Sequence, residues 1–272
     1  VAPNYDSLMS DARLPGYAEE TFTYGGMSHV VFTAGEGPAV IVLAEIPGIT
    51  PKVLEFADRV RSLGCSVWMP WLFGTPGRGP DAVHLAQSFA PACISKEFAA
   101  FAANDTAPVI GWLKALAVEA HERCGGPGVG AVGMCLTGGF ALGMMVEPAV
   151  IAPVLSQPSL PLPFGGARRR SVHLSAQDAR QVRERAAAGV CVLGLRFTED
   201  RAVPGERFAA LRELLGENFV GVEIDSSPGN PYGNPRMAHS VLTEHLVDTV
   251  GHPTHDALEQ VLSFFKERLL PE

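Results

Sequence analysis

What this sequence lacks narrows the field first. No apolar run approaches the ~20 residues that cross a membrane. Basic residues are in deficit: 21 Lys and Arg against 29 Asp and Glu leave a net charge of −8. That balance argues against nucleic acid or a membrane surface as the main partner. The one basic run, Arg168-Arg169-Arg170, reads as a solvated loop. Cysteine is scarce. Positions 65, 93, 124, 135 and 191 make an odd count with no metal-like pairing. The expectation is a reducing compartment with no disulfide framework. Cys65 and Cys191 lie in apolar, strand-like runs and read as buried thiols. Residues 1–20 include Asp6, Asp11, Glu19 and Glu20 and no apolar core. A signal peptide is therefore not expected, and the expected location is cytoplasmic. Internal repeats and linkers rich in Gly, Ser or charge are also missing, so residues 1–272 read as one domain.

What is present is ample apolar material, 47% of 272 residues, and a regular alternation of element types. Two short β-type runs, 21–24 and 29–33, flank Gly25-Gly26 as an edge hairpin would. Ala39–Ala44 and Ser66–Pro70 are apolar runs suited to strands buried on both faces. Between them Thr50-Pro51 opens a helix and Gly64 closes it. Residues 71–80 form a loop and 81–103 an apolar, weakly periodic segment, so 71–104 reads as a stretch that covers a pocket. A helix is expected over 106–122 and strands at 129–134, 149–155, 190–197 and 219–224. Ser175 and Asp178 have the form of a capping box. Pro204–Leu215 reads as a helix, and Thr254 as the cap of the last one. Strand and helix alternation implies an α/β fold: one doubly wound, mostly parallel sheet with helices on both faces.

The chemistry gathers at Val129-Gly130-Ala131-Val132-Gly133-Met134-Cys135-Leu136-Thr137-Gly138-Gly139-Phe140. It reads as strand, tight turn and helix start, with small residues where strand and helix pass closely. Cys135 is held out at the strand's end beside the helix N-terminus, which favours a thiolate. This is a nucleophile elbow with Cys in place of Ser, although Thr137 stands where a second glycine is usual. Parallel sheets gather their sites at the carboxyl ends of strands. Glu45, Cys135, Asp200 and His239 all fall just past such ends or in the loop beyond. Nucleophile, acid and histidine occur in the triad order of α/β-hydrolases. His239 would take the thiol proton and return it to a leaving alcohol, and Asp200 would orient the imidazole. The N–H groups of Leu136 and Ile46 are the oxyanion donors this spacing offers. Glu199 and Asp225 compete with Asp200 as the acid, and seven other histidines with His239. Among these, His245, His252 and His255 read as surface or capping residues. Glu45 also admits a packing role.

Four segments together resemble the dienelactone hydrolase family of α/β-hydrolases across residues 22–269. Glu45-Ile46-Pro47-Gly48 resembles its E-I-x-G turn, and Gly133-Met134-Cys135-Leu136-Thr137-Gly138-Gly139 its cysteine elbow. Asp200-Arg201-Ala202-Val203-Pro204 resembles its acid segment D-x-x-V-P, and His239-Ser240 its terminal H-S pair. The resemblance implies a Cys135–His239–Asp200 triad, with Glu45 as the carboxylate that helps take the resting thiol's proton. It implies a small-molecule ester or lactone as substrate and needs no cofactor or metal. Dienelactone-cleaving members hold the substrate carboxylate with arginines, one of them four residues after the histidine, where this chain has Thr243. Arg78, Lys96 and Arg236 are the cations nearby in sequence. A thioesterase or acyl transferase on the same triad, or a non-catalytic small-molecule binder, are the competing functions. Monomer and homodimer are both compatible with the composition.

Overall fold

The computed structural model describes residues 14–98, 106–160 and 165–270. Its centre is an eight-stranded sheet, β1 (Ala18–Tyr24), β2 (Met27–Ala34), β3 (Ala39–Leu43), β4 (Ser66–Pro70), β5 (Val129–Met134), β6 (Val150–Ser156), β7 (Val192–Phe197) and β8 (Phe219–Ile224). The spatial order is β1-β2-β4-β3-β5-β6-β7-β8. The hairpin β1–β2 and the β2–β4 pair are antiparallel, and every pair from β4 to β8 is parallel. Eight helices accompany it among the described residues: α1 (Pro51–Ser62), α2 (Ala82–Ile94), α3 (Val109–Cys124), α4 (Thr137–Met144), α5 (Gly166–Arg170), α6 (Ala176–Ala187), α7 (Gly205–Leu215) and α8 (Pro253–Leu269). None of the described helices is long and apolar enough to cross a membrane.

The period-two alternation of strand side chains feeds two apolar layers. Ala39, Ile41 and Leu43 of β3 enter the layer shared with α3, α4, α6 and α7. Val40 and Val42 enter the one shared with α1 and α8. Each fully buried Val, Leu, Ile or Phe contributes on the order of 1.5–3 kcal/mol, so these two layers dominate the stabilisation. The sheet's central strands therefore have no polar face, which is why they appear in the sequence as unbroken apolar runs.

Local signals set most element ends. Thr50 accepts the Val53 N–H at 3.3 Å and starts α1. Ser175 accepts the Asp178 N–H at 3.1 Å and starts α6. Three expectations are corrected. The last helix begins at Pro253 with His252 as its cap: His252 Nδ1 accepts the Thr254 N–H at 3.3 Å, while the Thr254 hydroxyl accepts the Val247 N–H. Arg168-Arg169-Arg170 is not a solvated loop but α5, pinned to α7 by Arg169–Glu206 and Arg170–Glu213 ion pairs. Cys65 is buried, and burial pushes its thiol up to about 11, but Cys191 is only half-buried. Within residues 71–104, α2 is followed by Phe98, which packs on Phe73 and over Phe140 of the elbow helix. Residues 99–105 lie outside the described ones.

Candidate active site

The site is built where β3, β5, β6 and β7 end side by side. Cys135 follows β5 at φ 58°, a left-handed conformation that a non-glycine residue adopts only when its surroundings enforce it. Its N–H donates to Ser156 O at 3.0 Å, and its carbonyl accepts from Gly138 and Ser159 N–H. A Cβ at Gly133 would lie 2.0 Å from the Thr137 carbonyl oxygen, and one at Gly138 would lie 2.7 Å from Pro158. The glycines are therefore required by close approach of backbone. Thr137, off the usual pattern, has its own task. Its hydroxyl accepts the Met134 N–H at 2.8 Å and reaches the Leu43 carbonyl at 2.9 Å, tying the elbow to the end of β3.

Asp200 and His239 meet as expected: His239 Nδ1 and Asp200 Oδ2 are 2.6 Å apart. The competing acids have other partners. Glu199 pairs with Arg236, and Asp225 caps the Ser227 N–H. Asp200 Oδ1 accepts the Ala202 N–H at 2.9 Å, which fixes the carboxylate's plane. Two buried arginines hold the loop around it. Arg196 donates to the carbonyls of Thr198 and Val203, and Arg207 to that of Ala202. Burial opposes a charge on the His239 ring. The charge and hydrogen bond of Cys135 and those of Asp200 outweigh it, raising this imidazole well above its ordinary value.

His239 is held at its backbone as well. Its N–H and that of Ser240 both point to His245 Nδ1, at 3.4 and 3.2 Å. Burial, helped by the neighbouring His239, pushes His245 down, which keeps that nitrogen an acceptor. His255 bonds Asp248 rather than joining His252, and among the described residues no three His, Cys, Asp or Glu side chains gather as a metal set would.

Glu45 is buried just after β3, and three side chains converge on it. Ser240 donates to Oε2 at 2.6 Å, Gln157 Nε2 does so at 3.2 Å, and the Thr243 hydroxyl donates to Oε1. Gln157 in turn accepts the Val241 N–H at 3.2 Å. A buried carboxylate needs such donors. Here they come from β6's end and from the histidine segment, so Glu45 binds these two parts of the chain to β3. Thr243, at the position of the expected arginine, spends its hydroxyl on Glu45. Arg78 is paired with Asp81, and Arg236 with Glu199.

Besides His239, Ser159 meets the Cys135 sulfur, with Oγ 2.9 Å from Sγ. No motif in the sequence marks Ser159 as a site residue. The available signal was a hydroxyl three residues beyond β6, the strand beside the elbow strand. Among the described residues neither the Leu136 N–H nor the Ile46 N–H has a hydrogen-bond acceptor.

Solved structures with the same architecture include a candidate dienelactone hydrolase from Klebsiella pneumoniae subsp. pneumoniae MGH 78578. It is 17% identical, with a TM-score of 0.62 over 92% of this chain and 98% of that one. A dienelactone hydrolase-like promiscuous phosphotriesterase from metagenomic libraries is 16% identical, with a TM-score of 0.59 over 93% and 98%. A cold-adapted esterase from an Arctic intertidal metagenomic library is 13% identical, with a TM-score of 0.58 over 96% and 98%. No curated protein matches the chain in sequence. At these identities the shared feature is the α/β-hydrolase fold. The finer assignment comes from the family model, whose match runs from β2 through the last helix, residues 28–269: the chain belongs to the dienelactone hydrolase family.

Proposed function

We propose that this protein hydrolyses carboxylic esters or lactones through an acyl-enzyme on Cys135. The observation that carries the reading is a cysteine at φ 58° on a strand-to-helix turn, coupled to an imidazole that Asp200 holds at 2.6 Å. Family membership and the esterases among the similar folds support it.

In the proposed cycle His239, raised well above its ordinary value, takes the Cys135 proton, so that a thiolate faces an imidazolium. The sulfur attacks the ester carbonyl, a C–S bond forms, and the oxyanion lies between the Leu136 and Ile46 N–H groups. Collapse breaks the C–O bond, and the leaving alkoxide takes the His239 proton. Now neutral, His239 removes a proton from water as the water oxygen attacks the thioester carbon. The C–S bond then breaks, the carboxylic acid leaves, and thiolate and imidazolium return. Asp200 keeps Nδ1 bonded and stabilises the cation. Glu45 acts through the histidine segment that it holds at Ser240 and Thr243. Because Thr243 offers no guanidinium, uncharged esters and lactones are ranked ahead of dienelactone carboxylates.

The test is burst-phase hydrolysis of p-nitrophenyl acetate by the wild type and Cys135→Ala. The expected result is a burst with turnover in the wild type and a loss of about 10³-fold or more in a folded variant. Equal turnover in both would remove the reading. A burst without turnover would leave the covalent step but replace water with another acyl acceptor.

A further inference from the structure

Ser159 is anchored to Cys135 at both of its ends. Its N–H donates to the Cys135 carbonyl at 2.9 Å, and its hydroxyl lies 2.9 Å from the Cys135 sulfur. The side chain is buried, and among the described residues that sulfur is the hydroxyl's only partner. The backbone leading to it is fixed. Ser156 pairs with Met134 in the sheet, and Gln157 turns the chain at φ 35°. Pro158 packs against Gly138, and Arg207 holds the Pro158 carbonyl at 3.0 Å. A hydroxyl placed this firmly on a nucleophile does more than fill space.

We propose that Ser159 is a further catalytic residue, whose hydroxyl donates a hydrogen bond to the Cys135 thiolate at rest and again as the acyl-enzyme's C–S bond breaks. The direction of the bond follows from charge. A thiolate has no proton to give, so the serine must donate. A serine competing as nucleophile is disfavoured, because Nδ1 of His239 is bonded to Asp200 and the ring's other side serves Cys135. On acylation the sulfur's negative charge passes into the new C–S bond, and the hydroxyl loses its anionic acceptor. On deacylation water's oxygen bonds to the carbonyl carbon and its proton goes to His239. The C–S bond breaks with its electron pair on sulfur, and the hydroxyl meets charge again. Ser159 therefore assists the departure of sulfur more than its attack. The kinetic half of this proposal rests on the cysteine-hydrolase reading; the thiolate half does not.

The closing experiment measures iodoacetamide alkylation of Cys135 against pH, read by mass spectrometry of the peptide that carries it, in the wild type, Ser159→Ala and Ser159→Thr. Ser159→Ala should move the half-alkylation pH up by about one unit, the tenfold effect expected of a hydrogen bond to a charged group. Ser159→Thr should restore it. With p-nitrophenyl acetate, Ser159→Ala should keep its burst amplitude while steady-state kcat falls about tenfold. An alkylation profile that Ser159→Ala leaves unmoved overturns the proposal. If the alanine variant does not fold, Ser159→Thr against Ser159→Val decides, since that pair differs by the hydroxyl alone. Absence of ester turnover in every protein, with the alkylation shift intact, would sink the ester reading and keep the serine's role.

Discussion

Cys135 carries its cost in the backbone. A non-glycine residue in the left-handed region gives up roughly 1–2 kcal/mol. In return the thiol is aimed outward at a strand's end, where His239 and Ser159 reach it. The acid–base partner has the opposite character: its energy is electrostatic. The raised His239 keeps its proton as pH climbs past the ordinary imidazole value of about 6.5. In the proposed reaction the leaving alcohol needs that proton. Activity should therefore persist into alkaline solution and fall only as pH passes the raised value. Asp200→Asn removes the charge bonded to Nδ1. The alkaline limb of kcat/KM should then move down toward the ordinary value, and kcat/KM at neutral pH should drop about 100-fold or more. A pH–rate series from 5 to 10 checks both. An unmoved limb would mean that Asp200 orients the ring without stabilising its cation.

Among the elements, the elbow depends on one hydroxyl that departs from the usual pattern. Thr137→Val keeps the side chain's shape and removes the acceptor of the buried Met134 N–H, together with the tie to Leu43. Leaving that N–H unpaired should cost about 1–3 kcal/mol in urea unfolding, and Thr137→Ser should recover most of it. A valine variant as stable as the wild type would show that the hydroxyl is incidental. This bond also marks how far local pattern carries. The buried strands were legible because their apolar runs need no partner to be recognised, and Cys135 because its glycines are consequences of a turn only a few residues long. The roles of Thr137 and Ser159 were not legible. Thr137 bonds Leu43 across 94 residues, and Ser159 reaches Cys135 across 24, distances at which neither periodicity nor turn chemistry carries information. The last helix shows the same limit at close range. Thr254 has the residue type of a cap, yet His252 takes the position because the Thr254 hydroxyl is engaged with Val247.

At the scale of the whole molecule, the site stands at the meeting of loops that share no secondary structure, and buried polar side chains take over the task of joining them. Glu45 joins β3 to the histidine segment and β6. Arg207 joins the rest. Its guanidinium donates to the carbonyls of Ser171, Pro158, Ala202 and Arg168, so the acid loop, the Ser159 loop and α5 are held by one group. Burial pulls this guanidinium down to about 10, with Asp200 pushing back, so it remains charged at neutral pH. Two energies oppose each other on its removal. Four carbonyls lose donors worth about 1.5–3 kcal/mol each, while the several kcal/mol spent on desolvating the cation are recovered. Stability should therefore fall by less than the sum of those bonds, by about 3 kcal/mol. Function has no such compensation, because Ala202 and Pro158 stand next to the residues that set Asp200 and Ser159. Arg207→Met should stay folded at room temperature and lose at least about tenfold in kcat with little change in KM, since the tie acts on the reacting groups rather than on a substrate surface. Urea unfolding read beside steady-state kinetics separates the two effects. A stability loss with wild-type kcat would mean that Arg196, on the other side of the acid loop, suffices to hold it.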